Sequence, residues 1–149
     1  MYKHLLVPTD GSELSQHAAR KASEFARALG AKVTFLYVQP DFPRPIVGEG
    51  AMIAPEGREE FQRGTEMQAA RILQEATDIA RELGLTVASH TEVNDAPHEV
   101  IIRCAEFYDC DLIFMASHGR RGIAGLLIGS ETHKVLTHCK TPVLVYREA

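Results

Sequence analysis

The sequence predicts a doubly wound α/β fold, a parallel sheet wrapped on both faces by helices, and three observations carry the prediction. Short apolar or β-branched runs alternate with longer stretches whose apolar residues fall three and four apart. The alternation yields five strands and four helices with no repeat and no linker, the pattern of strands joined by crossover helices. The length of 149 residues fits one domain over residues 1–149, in a range where domains run about 100–200 residues and bury roughly 70% of their unfolded surface.

His4 to Pro8 reads as the first strand. Ser12 is placed to N-cap a helix that turns Leu14, Ala18, Ala22, Phe25, Ala26 and Leu29 inward, and Gly30 closes that helix at its C-terminal end. Lys32 to Val38 is the second strand, and Gln39 to Gly57, rich in Pro and Gly without a sustained period, is a loop. From about Arg58 to Leu83 the spacing of Ala69, Ile72, Leu73, Ala76, Ile79, Ala80 and Leu83 marks a long amphipathic helix ended by Gly84. Thr86 to Val93 is a strand of mixed polarity. Pro97 opens a helix through Val100, Ile101, Cys104 and Phe107. The run Leu112-Ile113-Phe114-Met115 is apolar throughout, as a central strand covered on both faces must be. A helix from about Ser130 to His138 and a strand from Thr141 to Tyr146 complete the chain.

Composition narrows the function classes. Charge is mixed, 16 Lys plus Arg against 20 Asp plus Glu with no run of one sign, so neither a nucleic-acid footprint nor a polybasic membrane patch is expected. The apolar stretches are strand-sized, and Met1-Tyr2-Lys3-His4 leads straight into Leu5 without a signal-peptide pattern; the expectation is a cytoplasmic protein without membrane insertion. Cys104, Cys110 and Cys139 form no C-x-x-C pair, and Cys104 falls among apolar neighbours, so no metal or redox role is assigned to them. His133 and His138 lie five apart and share no helix face, and His4, His17, His90 and His98 suggest no partner. No metal-binding side chain is expected.

In doubly wound sheets ligands bind beyond the carboxyl ends of the strands, at the topological switch point. Two segments fall there: Pro8 to Ser12 after the first strand and Ala116 to Thr132 after the fourth. The second contains Gly119, Gly122, Gly125 and Gly129 and ends on a helix start, where glycine lets the backbone approach a ligand and unpaired N–H groups attract an anion. The hydroxyls of Ser130 and Thr132 can reach the same phosphate oxygens. A simpler account is a tight turn with Ser130 as its helix cap. Asp10, an acceptor at a strand end, suits ribose hydroxyls or a metal ion riding on phosphates, or else an Asx turn within Asp10-Gly11-Ser12.

A small residue at Ala116, two residues, Gly119, nine residues, Gly129 and then Ser130 resembles the nucleotide signature of the universal stress protein family. That signature reads Gly, two residues, Gly, nine residues, Gly, then Ser or Thr. The resemblance extends to Val7-Pro8-Thr9-Asp10-Gly11-Ser12 and Thr141-Pro142-Val143-Leu144-Val145 and covers essentially the whole chain. It implies a three-layer fold with strand order 3-2-1-4-5, Rossmann-like and similar to the adenine nucleotide alpha hydrolases, and ATP, ADP or AMP as ligand. By the same resemblance Pro8, Thr9 and Asp10 would face ribose and adenine, and the main chain of Val38 would contact the base. Met115, Ala116, His118 and Gly119 would line ribose and phosphates; Gly129, Ser130, Glu131 and Thr132 would hold the phosphates, with Mg²⁺ riding on them.

Two departures bear on this. Ala116 replaces the first glycine, which costs on the order of 1 kcal/mol if φ is positive there and only the room of a methyl otherwise. The carboxylate of Glu131 must point away from a phosphate or repel it, unless a Mg²⁺ intervenes. Arg120 and Arg121 can reach a triphosphate or stay solvated.

Catalytic signatures are missing: no G-x-x-x-x-G-K-[ST] loop, no Ser-Gly-Gly-x-Asp-Ser loop, and no acidic receiver site. No catalytic residue is assigned, and slow ATP hydrolysis through a water near His118 or Asp10 is the most that the residues allow. The reading is an ATP-binding stress-response regulator; the alternative is a scaffold of the same fold that works through protein contacts. The final strand, Val143 to Tyr146, would form a sheet edge, and the resemblance implies a homodimer through it. The loop from Gln39 to Gly57 is placed to act as a lid or to remain a simple connection.

Overall fold

The computed structural model describes residues 1–43, 55–119 and 128–148. Among these lie the strands β1 (His4–Pro8), β2 (Lys32–Gln39), β3 (Val87–Val93), β4 (Leu112–Ala116) and β5 (Val143–Tyr146), and the helices α1 (Glu13–Leu29), α2 (Pro55–Glu82), α3 (Pro97–Phe107) and α4 (Ser130–His138). The five strands form one parallel sheet in the order β3-β2-β1-β4-β5, as expected.

Local chemistry sets the boundaries. The Ser12 side chain accepts from the Ser15 N–H at the start of α1, and Gly30 ends that helix at φ 67°, where an L side chain would be strained. The two sheet faces bury separate cores. Leu5, Val7, Phe35, Leu112 and Phe114 face α1 and α2, which contribute Ala18, Ala22, Ala26, Ile72 and Ala76. Leu6, Leu36, Ile113 and Met115 face the other way, against Val100, Ile101 and Cys104 of α3 and Val135 of α4. Every residue of β4 is buried, while the edge strand β3 alternates half-buried and exposed positions, matching its mixed sequence.

Four expectations need correction. The loop after β2 is shorter than the sequence suggests: Gln39 is the last residue of β2, and α2 begins at Pro55, ahead of Arg58. Proline fits a first helical turn, where its missing N–H is no loss, and the Phe61 ring edge meets Phe42 at 5.5 Å between centroids. Phe107 does not join the buried stripe of α3 but is 76% exposed. At 100° per residue it lies about 90° from the centre of the stripe formed by Val100, Ile101, Cys104 and Ala105, and its ring packs on Tyr108 instead. Two strands start later than expected, the third at Val87, not Thr86, and the last at Val143, not Thr141. The lid expectation for residues 44–54, and the readings of Arg120, Arg121, Gly122 and Gly125, lie outside the described residues.

Candidate functional site

The ends of β1 and β4 bring the two sequence segments together. Thr9 continues β1 by donating its N–H to Leu36 O at 2.9 Å, and its buried hydroxyl lies 3.1 Å from Ser15 Oγ. The chain then turns through Asp10 and Gly11, whose φ of 76° requires glycine. Asp10 Oδ1 accepts from Ser12 N–H at 2.9 Å, so the Asx turn forms. That bond does not retire the residue, since it fixes the carboxylate over the loop that follows β4. A Cβ added to Gly119 would overlap Asp10 Oδ2. Glycine at 119 is therefore what lets the two segments meet.

The loop returns to α4 through a second close approach. Gly129 donates its N–H to Ser117 O at 2.6 Å, and a Cβ on Gly129 would lie 3.1 Å from both Cα and Cβ of His118. Gly129, not Ser130, is the N-cap of α4, with extended backbone at φ −71°, ψ 161°. The cap reading of Ser130 is thus replaced: Ser130 opens the helix, and its hydroxyl takes no hydrogen bond among the described residues. The first intrahelical donor is the His133 N–H, bonded to Gly129 O at 2.9 Å, which leaves the N–H groups of Ser130, Glu131 and Thr132 pointing out of the helix start. The buried Thr132 hydroxyl donates to Ala116 O at 3.0 Å, tying α4 to the end of β4, so Thr132 can offer an anion its backbone N–H only.

Both departures from the family signature are resolved by geometry. Ala116 is a buried strand residue paired with Tyr146, and the only non-glycine residue with positive φ among the described residues is Asp109. Alanine at 116 therefore costs the room of a methyl and no backbone strain. The Glu131 carboxylate turns away from the helix start: Oε2 accepts from the His98 N–H at 2.9 Å and from His98 Nδ1 at 3.0 Å, and Oε1 from Lys134 Nζ at 2.9 Å. It caps α3, whose own N-cap position, Ala96, supplies no side-chain bond. Burial pushes the Glu131 carboxyl up, but the bonds from Lys134 and His98 outweigh it and hold the group below the usual carboxylate range. The stabilisation that this lowering represents is present above the ordinary carboxyl range and is lost as the pH falls through the lowered value.

The remaining candidate residues lie at or just beyond the ends of β4 and β2. Met115 and Ala116 form the buried end of β4, and His118 follows half-buried with Nδ1 3.5 Å from Gly119 O. On β2, Tyr37 O accepts from Thr91 Oγ1 and Gln39 O accepts from Asn94 N–H, both toward β3. Strand alternation then turns the N–H and C=O of Val38 to the other side, past the end of β1. A groove of about 340 Å³ lies between α1 and α2, on the opposite face of the sheet from α4, and reaches the β1 end of the candidate site at Thr9 and Gly11. Among the described residues Glu75, Asp78 and Glu82 line it against one cation, Arg20, a balance that repels phosphate.

The fold and the site define a class: a doubly wound α/β domain with an anion-attracting helix start at its switch point. The universal stress protein family profile matches residues 1–147, and the chain belongs to that family. It is 32% identical over 152 aligned residues to universal stress protein MJ0531 of Methanocaldococcus jannaschii, spanning 99% of this chain and 84% of that protein. The solved structure of protein MJ0577 from the same archaeon superposes with a TM-score of 0.82 at 29% identity, covering 100% of this chain and 98% of that one. A universal stress protein solved in complex with cAMP is 28% identical, with a TM-score of 0.71 and 99% of each chain covered.

Proposed function

We propose that this protein binds an adenine nucleotide, with ATP as its ligand, and acts as a stress-response regulator whose liganded state is read by another protein. One observation carries the reading: the Asp10 carboxylate meets Gly119 beside a helix start that presents three N–H groups. The bound cAMP of the 28% identical relative supports the choice of an adenine ligand. In this reading Asp10, with Pro8 and Thr9 behind it, accepts from the ribose hydroxyls. The N–H and C=O of Val38 face adenine, which offers one acceptor and one donor on its edge; guanine offers the reverse pair. Met115, Ala116, His118 and Gly119 line the ribose and first phosphate. Gly129 brings the backbone close, and the N–H groups of Ser130, Glu131 and Thr132, with the Ser130 hydroxyl, hold the phosphates. Mg²⁺ rides on the phosphates, within the compass of Asp10. Among the described residues none has the placement of a general base, so hydrolysis, where it occurs, is slow.

Thermal unfolding with and without Mg-ATP tests this. Ligand at about 100 times its dissociation constant adds roughly 2.7 kcal/mol, which at about 2–4 °C per kcal/mol raises the midpoint by about 5–11 °C. GTP should not reproduce the rise, and Asp10→Ala should lose it. An unmoved midpoint with every adenine nucleotide would replace this reading with a protein-contact module of the same fold.

The protein acts as a homodimer through β5. That strand is the sheet edge next to β4, and each of its four residues is only half-buried. Pairing with its copy in a closed two-fold arrangement satisfies the edge. Val145→Lys should shift the mass in solution from two chains to one, and an unchanged mass would sink this interface.

A further inference from the structure

On the far side of the sheet from α1 and α2, the edge strand β3 and helix α3 bring three chemically different ligands together. His90 and Glu92 are two apart on β3 and so share a face; their register partners Leu36 and Val38 belong to the core that packs under α3. Cys104, 4% exposed, projects from α3 into that core. One ring nitrogen of His90, one carboxylate oxygen of Glu92 and Cys104 Sγ all lie within 4.8 Å of one another. His90 Nε2 and Glu92 Oε2 are 3.8 Å apart.

We propose that His90, Glu92 and Cys104 form a zinc site, with water as the fourth ligand. In a tetrahedral zinc site with the usual bond lengths, ligand atoms stand about 3.3–3.6 Å apart, so small side-chain rotations close the triad around the ion. The surroundings restrict those rotations. Tyr108 packs edge-on to the His90 ring at 5.6 Å between centroids, and Arg103 pairs with Glu92 Oε1, leaving Oε2 turned toward His90. A thiolate, an imidazole and a carboxylate together favour Zn²⁺ over the hard cations Mg²⁺ and Ca²⁺. His90 and Glu92 are about one-third exposed, which gives the ion an entry path and the water a place. On binding, the Cys104 S–H bond gives way to an S–Zn bond and the proton passes to solvent.

The competing account is purely structural, with His90 stacked on Tyr108 and Glu92 paired to Arg103. Cobalt(II), added to the reduced, chelator-stripped full-length chain without nucleotide, separates the two. The site predicts a thiolate-to-cobalt charge-transfer band at one ion per chain, with the intense visible bands of tetrahedral coordination, all displaced by zinc. Cys139→Ser should keep the band and Cys104→Ala should abolish it. His90→Ala, at a part-exposed strand position that tolerates truncation, should weaken zinc binding at least tenfold even where Cys104→Ala folds poorly. Absence of the band from the native chain, or a band unchanged in His90→Ala, would overturn the proposal.

Discussion

Gly119→Ala is expected to leave the fold intact and weaken nucleotide binding by about 10- to 100-fold. The added methyl would overlap Asp10 Oδ2, which is the end of a rotatable side chain, so the carboxylate swings aside and the backbone stays. Gly119 is exposed and its φ is not in the left-handed region, so alanine itself is tolerated and stability should change by no more than about 0.5 kcal/mol. The functional loss is that of hydrogen bonds to a charged acceptor, about 1.5–3 kcal/mol. In thermal unfolding at an ATP concentration of about 100 times the native dissociation constant, the native rise of about 5–11 °C should fall to about 1 °C for a 100-fold loss. The double variant with Asp10→Ala makes the cause visible. If the methyl acts through the carboxylate, the two substitutions together cost no more than Asp10→Ala alone. A full native rise in Gly119→Ala would break the link between the two segments on which the site rests.

That contact also marks the limit of what the sequence discloses. The elements are legible because their signals are local: the apolar run of β4, Ser12 ahead of α1, Gly30 and Gly84 at helix ends with φ of 67° and 74°. The switch-point rule and the glycine spacing point to both segments of the candidate site. Their meeting is a tertiary fact, and no window of the sequence contains both Asp10 and Gly119. Glu131 is a similar case. As a letter beside Ser130 it looks like a carboxylate set against a phosphate, and only the fold shows His98, on another helix, taking it up. The Thr132 hydroxyl reads as a phosphate donor until the end of β4 is seen beneath it. The cluster of His90, Glu92 and Cys104 was hidden for another reason: its spacing mixes a strand period with a step to the next helix, and matches no metal motif. Phe107 misled because a stripe read from spacing alone has no width, whereas a real helix face does.

The largest effect on stability is expected from Phe114→Ala, which should destabilise the protein by about 3–5 kcal/mol. Phe114 is 4% exposed, faces α1 and α2, and meets the Phe25 ring at 6.1 Å between centroids; its register partner Leu144 packs on the same core. The void left behind is flanked by strands β1 and β5, which cannot close on it without breaking their own pairing with β4. At about 2–4 °C per kcal/mol the midpoint should drop by about 6–20 °C, and a loss below about 1 kcal/mol would mean that the ring does not close this core. The more informative quantity is the increment that Mg-ATP adds back. Binding stabilises by an amount set by concentration and affinity, independent of the starting stability. The candidate site is built from strand ends, the Asp10 turn and the start of α4, whereas the Phe114 ring packs under α1 and α2, on the opposite face of the sheet from α4. The ATP increment should therefore match that of the native protein while the baseline falls. If the increment shrinks along with the baseline, the geometry joining Asp10, Gly119 and the α4 N–H groups depends on the packing beneath it, and the nucleotide would be sensing the core as well as the crevice.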